Sequence, residues 1–190
     1  MSPEYPDSDI YPEISALNAE FLGLLIRSAT EPDHDRFGLS PDIVGAIASM
    51  TVKQLNQASE VPCLLLDLQI RSPRCINDSG QLSQSALNQS SGILMASVLT
   101  YARDLLHYES AGAFAALGLA APITDRLQDI DIAGINRLVC SPEIHIQARF
   151  SNSSGFWYDL IDTAKQENPK MAAVSRLSAL PLLVAESHQL

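Results

Sequence analysis

The sequence repeats itself at a spacing of eighty residues. Shifted by that amount, Phe37-Gly38-Leu39 falls on Leu117-Gly118-Leu119. With no gap, Ile43 then falls on Ile123, Ile47 on Leu127, Met50 on Ile130, Val52 on Ile132, Leu55 on Ile135 and Asn56 on Asn136. Pro62 falls on Pro142, and Leu64, Leu66 and Ile70 fall on Ile144, Ile146 and Phe150. Few of these are identities; what persists is the apolar spacing and its punctuation. Two copies of one supersecondary unit are the simplest source of such a pattern. Two copies are too few for a solenoid, but they suit a unit that pairs with its own twin.

Within each copy the spacing predicts mostly helix. Ile14, Leu17, Phe21, Leu24, Leu25 and Ile26 recur at helical intervals over 13 to 29, and Glu31-Pro32-Asp33 ends that run. Ser40 suits an N-cap, Pro41 a first helical position and Asp42 a first-turn acid, which predicts a short helix over 41–49. Thr51 caps another that carries Val52, Leu55 and Ala58, and Pro62 breaks it. From Leu64 to Ile70 apolar and polar residues alternate, the period of a strand with one buried face. The second copy predicts helices over 93–109, 122–129 and, capped by Asp131, to 139; Ile144, Ile146, Ala148 and Phe150 then alternate. A further helix is expected over 154–166.

This divides the chain into an acidic, Pro-bearing and disordered lead (1–12), a first unit (13–71), a polar linker (72–92), a second unit (93–168) and an apolar tail (169–190). A lone strand in a helical unit leaves unpaired N–H and C=O groups on both edges. Two related units can satisfy them by joining their strands in an antiparallel ribbon across a pseudo-twofold axis. The expected fold is therefore mainly α, an intramolecular pseudo-dimer. The linker is long enough for closure within one chain or for exchange between two, which gives a homo-oligomer or a domain-swapped dimer.

Composition limits the function. A formal charge of −10 argues against gripping nucleic acid by charge alone, because phosphate affinity comes mainly from Lys and Arg. No apolar run reaches the roughly 20 residues of a membrane span. The N-terminus lacks the basic start and apolar segment of a secretory signal, so cytoplasm is the default location. Cys63, Cys75 and Cys140 form no CxxC pair and the four histidines are scattered, so no metal or other cofactor is expected and the thiols read as buried. There is no GxSxG, P-loop, GxGxxG or HExxH, and the expectation is a non-enzyme.

The second copy resembles FlhD, a subunit of the bacterial flagellar master transcription regulator. The likeness runs through Ala102-Arg103-Asp104-Leu105-Leu106, Ala111-Gly112-Ala113-Phe114 and Leu117-Gly118-Leu119, then Ile123, Leu127, Ile130, Ile135 and Leu138, and closes on Ile144, Ile146 and Arg149-Phe150. The first copy is similar over Phe37-Gly38-Leu39, Ile43, Ile47, Met50-Thr51, Gln54-Leu55 and the alternating segment from Leu64 to Ile70. The resemblance implies a largely helical, dimerising subunit of a hetero-oligomeric complex that activates transcription. Its partner is the zinc-containing, basic FlhC, which carries much of the DNA contact. The chain departs from the family in being a tandem fusion, in being strongly acidic, and in having Leu66 and Ile146 where the family carries a strand cysteine able to link two protomers.

Each candidate contact also has a plainer reading. The short helix pairs over 41–59 and 122–139 can form helix-turn-helix units, whose second helices offer Lys53, Gln54, Asn56 and Gln57 in one copy and Asn136 and Arg137 in the other. The same residues suit an ordinary solvent face. Arg71, Arg74 and Arg149 are the basic candidates near the strands, or simply surface residues. Trp157, beside Phe156 and Tyr158, is either a partner anchor or a core residue. The tail with Leu177, Leu180, Leu182, Leu183 and Val184 either folds back or docks on a partner, with Leu182 and Leu183 as its anchors. The alternative to a regulator subunit is an adaptor or assembly protein that keeps the fold without touching DNA.

Overall fold

The computed structural model describes residues 10–30, 37–70, 86–108, 116–119, 121–127, 129–141 and 144–166. Among them are seven helices and two strands: α1 (Ile10–Ser28), α2 (Pro41–Ala48), α3 (Val52–Ser59), β1 (Leu66–Ile70), α4 (Ala86–Tyr108), α5 (Ala121–Leu127), α6 (Ile132–Val139), β2 (Ile144–Ala148) and α7 (Ser154–Lys165). The protein is mainly helical with one two-stranded antiparallel sheet.

Both long helices start earlier than their apolar spacing predicts. Helix α1 begins at Ile10, inside the expected lead, and places Pro12 in its first turn, where a backbone N–H has no intrahelical acceptor to lose. Helix α4 begins at Ala86, inside the expected linker. The Ser and Asn of that stretch read as loop, but from Ala86 to Ser91 it holds neither Pro nor Gly, and Ala86, Leu87 and Gln89 are good helix formers. The short helices follow their caps. Thr51 makes a capping box, its Oγ1 accepting from the Gln54 N–H at 3.3 Å and its own N–H donating to Gln54 Oε1 at 2.9 Å. Asp131 accepts from the Gly134 N–H at 2.6 Å. Ser40, expected to cap α2, makes no side-chain cap bond; Pro41 starts that helix instead.

The strands pair with Leu66, Asp67, Leu68, Gln69 and Ile70 opposite Ala148, Gln147, Ile146, His145 and Ile144. Leu66, Leu68, Ile144, Ile146 and Ala148 are buried, while Asp67, Gln69, His145 and Gln147 form the more open face. Both strands are shorter than the alternation suggests. Leu64 donates its N–H to Ala116 O at 2.9 Å instead of joining the ribbon. Beyond Ala148 the Arg149 N–H still donates to Leu65 O at 2.8 Å, but Phe150 adopts φ 57° and turns the chain toward α7.

The core gathers around the two long helices. Helices α1 and α4 pack on each other; α1 also packs on α2 and α3, and α4 on α5 and α6. Helix α7 packs back on α2 and α3. Phe21 of α1 meets Phe37 edge to face, with ring centroids 5.9 Å apart. Asn18 is fully buried on α1 and fastens it to the segment that enters β1: its Nδ2 donates to Ser59 O at 3.1 Å and Cys63 O at 2.9 Å, and its Oδ1 accepts from Leu65 N at 2.8 Å. On α4, burial pushes the Tyr101 phenol above its usual pKa of 10.0, and the Glu13 carboxylate adds to the shift.

Gly38 (φ 75°) and Gly118 (φ 63°) both need the left-handed backbone, but they differ in surroundings. A Cβ at Gly118 would overlap the buried Arg149 guanidinium, whereas at Gly38 it would meet the flexible end of Gln147 at 2.9 Å. Left-handed backbone costs an L-residue about 1–2 kcal/mol. Gly38→Ala is expected to lose about that amount, and Gly118→Ala about 1 kcal/mol or more beyond it, because overpacking adds to the strain. Urea denaturation of the two variants side by side measures the difference.

Candidate partner and nucleic-acid interface

The second helices of the two short pairs present similar outer surfaces. On α3, Val52, Lys53 and Asn56 are exposed; on α6, Ile132, Ala133, Asn136 and Arg137 are. Val52 and Ile132 are 74% and 69% exposed, unusual for branched apolar residues that apolar spacing alone would place inside. The missed signal is their position: each directly follows its cap, at the open end of a helix too short to turn every apolar residue inward.

Lys53 is exposed. Gln54 is half-buried and its carbonyl is committed to the Thr51 cap, which corrects its reading as a free base-contacting side chain. Thr51-x-x-Gln54 was itself the signal for that role. Gln57 is half-buried too, and its Oε1 has no hydrogen-bond partner among the described residues. Arg137 lies 3.7 Å from Asp131 with both side chains largely in solvent, a contact worth less than about 1 kcal/mol.

Arg149 is not a surface contact. It is 4% exposed, its Nη1 donates to Ala116 O at 3.1 Å, and its guanidinium carbon lies 5.1 Å from the centre of the Phe150 ring. It therefore ties the end of β2 to the segment before Gly118. Trp157 is likewise no anchor: the indole is fully buried within the chain and its Nε1 donates to Arg149 O at 3.1 Å. Tyr158 is the exposed member of that cluster. Arg71, Arg74, Leu182 and Leu183 lie outside the described residues.

An open groove of about 450 Å³ runs between the long helices, floored by Leu24 and Leu94 and edged by Glu20, Gly23, Arg27 and Ile93. Nothing in the sequence pointed to it, because it arises from the crossing of α1 and α4. Cys63 is buried as expected, but Cys140 is exposed, because it follows the last turn of α6. Among the described residues no group of His, Cys, Asp and Glu could hold a metal ion, and no helix is long and apolar enough to cross a membrane. Among the described residues the outer faces of α3 and α6 thus carry apolar and amide groups and, of the predicted cations, Lys53 and Arg137.

Comparisons of the chain with protein-family models, with curated proteins and with solved structures find no match.

Proposed function

We propose that the chain is an FlhD-like regulator subunit built as a tandem pseudo-dimer, working through protein contacts in a DNA-binding complex with a basic, FlhC-like partner. The observation that carries the tandem reading is the geometry of the ribbon. Its pairing sets Asp67 opposite Gln147, and those two positions are the ones that the eighty-residue shift equates. A local twofold through that pair would exchange the strands. Other landmarks keep the same interval: Val52–Ser59 and Ile132–Val139, the capping residues Thr51 and Asp131, and the left-handed Gly38 and Gly118. A self-paired duplicate suits the place of a dimeric subunit, and the charge of −10 steers it toward a basic partner.

One observation favours the second reading, an adaptor that does not meet DNA. With Arg149 buried, Lys53 and Arg137 are the exposed cations among the candidates within the described residues. Capture of the full chain with its assembly from native lysate, followed by mass spectrometry and a DNA-retention assay at low salt, separates the two. The regulator reading expects a basic partner and salt-sensitive DNA retention only when that partner is present. An assembly that retains no DNA at low salt favours the adaptor.

A further inference from the structure

We propose that the outer face of α5 and α6, with residues 129–131 before α6, is the seat of a cationic amphipathic helix supplied by a partner protein. This inference rests on the two-unit reading above. In the first unit the α2–α3 pair is covered by α7, which buries Phe156, Trp157, Leu160, Ile161 and Ala164. In the second unit the α5–α6 pair packs chiefly on α4, and no other described helix lies across it to a comparable extent.

Burial follows this difference. Met50 and Ala58 are buried, whereas Ile130 and Leu138, eighty positions on, pack against the core but are only half-buried. The second unit therefore carries bulkier apolar groups under less cover. The stretch of this chain that stands eighty positions before α7 is unsuited to cover them. It has Ile76, Asn77, Gly80, Gln81 and Gln84 where α7 has Phe156, Trp157, Leu160, Ile161 and Ala164, so its sequence lacks the apolar stripe.

Charge defines the occupant. Asp125, Asp129 and Asp131 are exposed around this face, at positions where the first unit has the neutral Gly45, Ser49 and Thr51. Arg126 and Arg137 are on the same helices, and Arg137 is the cation near Asp131. The carboxylates still outnumber the cations, and the chain as a whole carries −10. An apolar stripe flanked by Lys or Arg matches this face, whereas α7, with exposed Asp159 and Asp162, does not.

The test uses the full chain and a synthetic helix that bears the apolar stripe of α7, lysines at its outward positions and one photoreactive group on the stripe. Saturable one-to-one binding is expected, with adducts mapping to residues 130–139. Binding should weaken about tenfold or more when the stripe is scrambled or the lysines become glutamates, and by a similar factor in Leu138→Asp. Because Leu138→Asp can disturb folding, the exposed pair Asp125→Lys and Asp129→Lys serves as the second variant, with the same loss expected at low salt. The inference is overturned by no binding at millimolar peptide, by equal binding of the scrambled helix, or by adducts on α2, α3 or the groove between α1 and α4. It is overturned equally if binding appears only after residues 171–190 are removed, which makes the chain's own tail the occupant, or only at dilution, which makes it a second copy. Capture of the DNA-bound assembly by the Asp-to-Lys variant would retire the seat and leave the proposed function standing; an intact seat with no DNA-bound assembly would do the reverse.

Discussion

Trp157→Ala is expected to destabilise the protein by about 3–5 kcal/mol, the cost of emptying a large aromatic site in a closed core. The indole is fully buried, meets Phe156 edge to face at 5.8 Å, and through it the Phe150 ring, 4.8 Å from Phe156. It also holds the turn after β2, because Nε1 donates to Arg149 O at 3.1 Å. Trp157→Phe should cost less, about 1–3 kcal/mol, chiefly by leaving the Arg149 carbonyl without its donor. Total stability of an ordinary domain is about 5–15 kcal/mol, so the alanine variant should unfold at a clearly lower urea midpoint. Far-ultraviolet dichroism is the suitable probe, since Trp157 is the chain's one tryptophan. An unchanged midpoint would mean that α7 does not seal the core beside α2 and α3.

The second large effect is expected at Asn18. Its amide makes three buried hydrogen bonds to backbone groups, so Asn18→Ala leaves two carbonyls and the Leu65 N–H without it. At about 1–3 kcal/mol for each buried group left unsatisfied, partly relieved by water entering the space, a total loss of about 3–5 kcal/mol is expected. Asn18→Leu should not rescue it, because the missing partners are polar. The position eighty residues on is Val98, an apolar residue that is also fully buried. Amide exchange at Leu65 gives a local readout: slow in the parent chain and markedly faster in Asn18→Ala. Equal exchange would show that Asn18 does not set the entry into β1.

Much of the architecture was legible because local rules act within a few residues. Thr51 and Asp131 announce their helices by cap chemistry, and the alternation around Leu66 to Ile70 and Ile144 to Ala148 marks strands with one buried face. The rest depends on what lies opposite in space. Asn18 sits among the apolar positions of α1, and only the free backbone groups beside β1 explain why an amide belongs there. Arg149 reads as a surface cation until Ala116 O and Phe150 are found against it. The packing of α7 on α2 and α3, which turns Trp157 from a candidate anchor into a core residue, is tertiary and no local pattern encodes it.

The account turns on the two units clasping each other within one chain. Gln69 and Gln147 are diagonal neighbours across the ribbon, within reach of a short bifunctional thiol reagent once both are cysteine. In Gln69→Cys/Gln147→Cys, made in a background of Cys75→Ser and Cys140→Ser, crosslinking followed by light scattering reads both the pairing and the mass. The account predicts a link within each chain, near-complete, in a particle of 20.6 kDa. Links that run between chains in a particle of twice that mass, or no link at all, would contradict it.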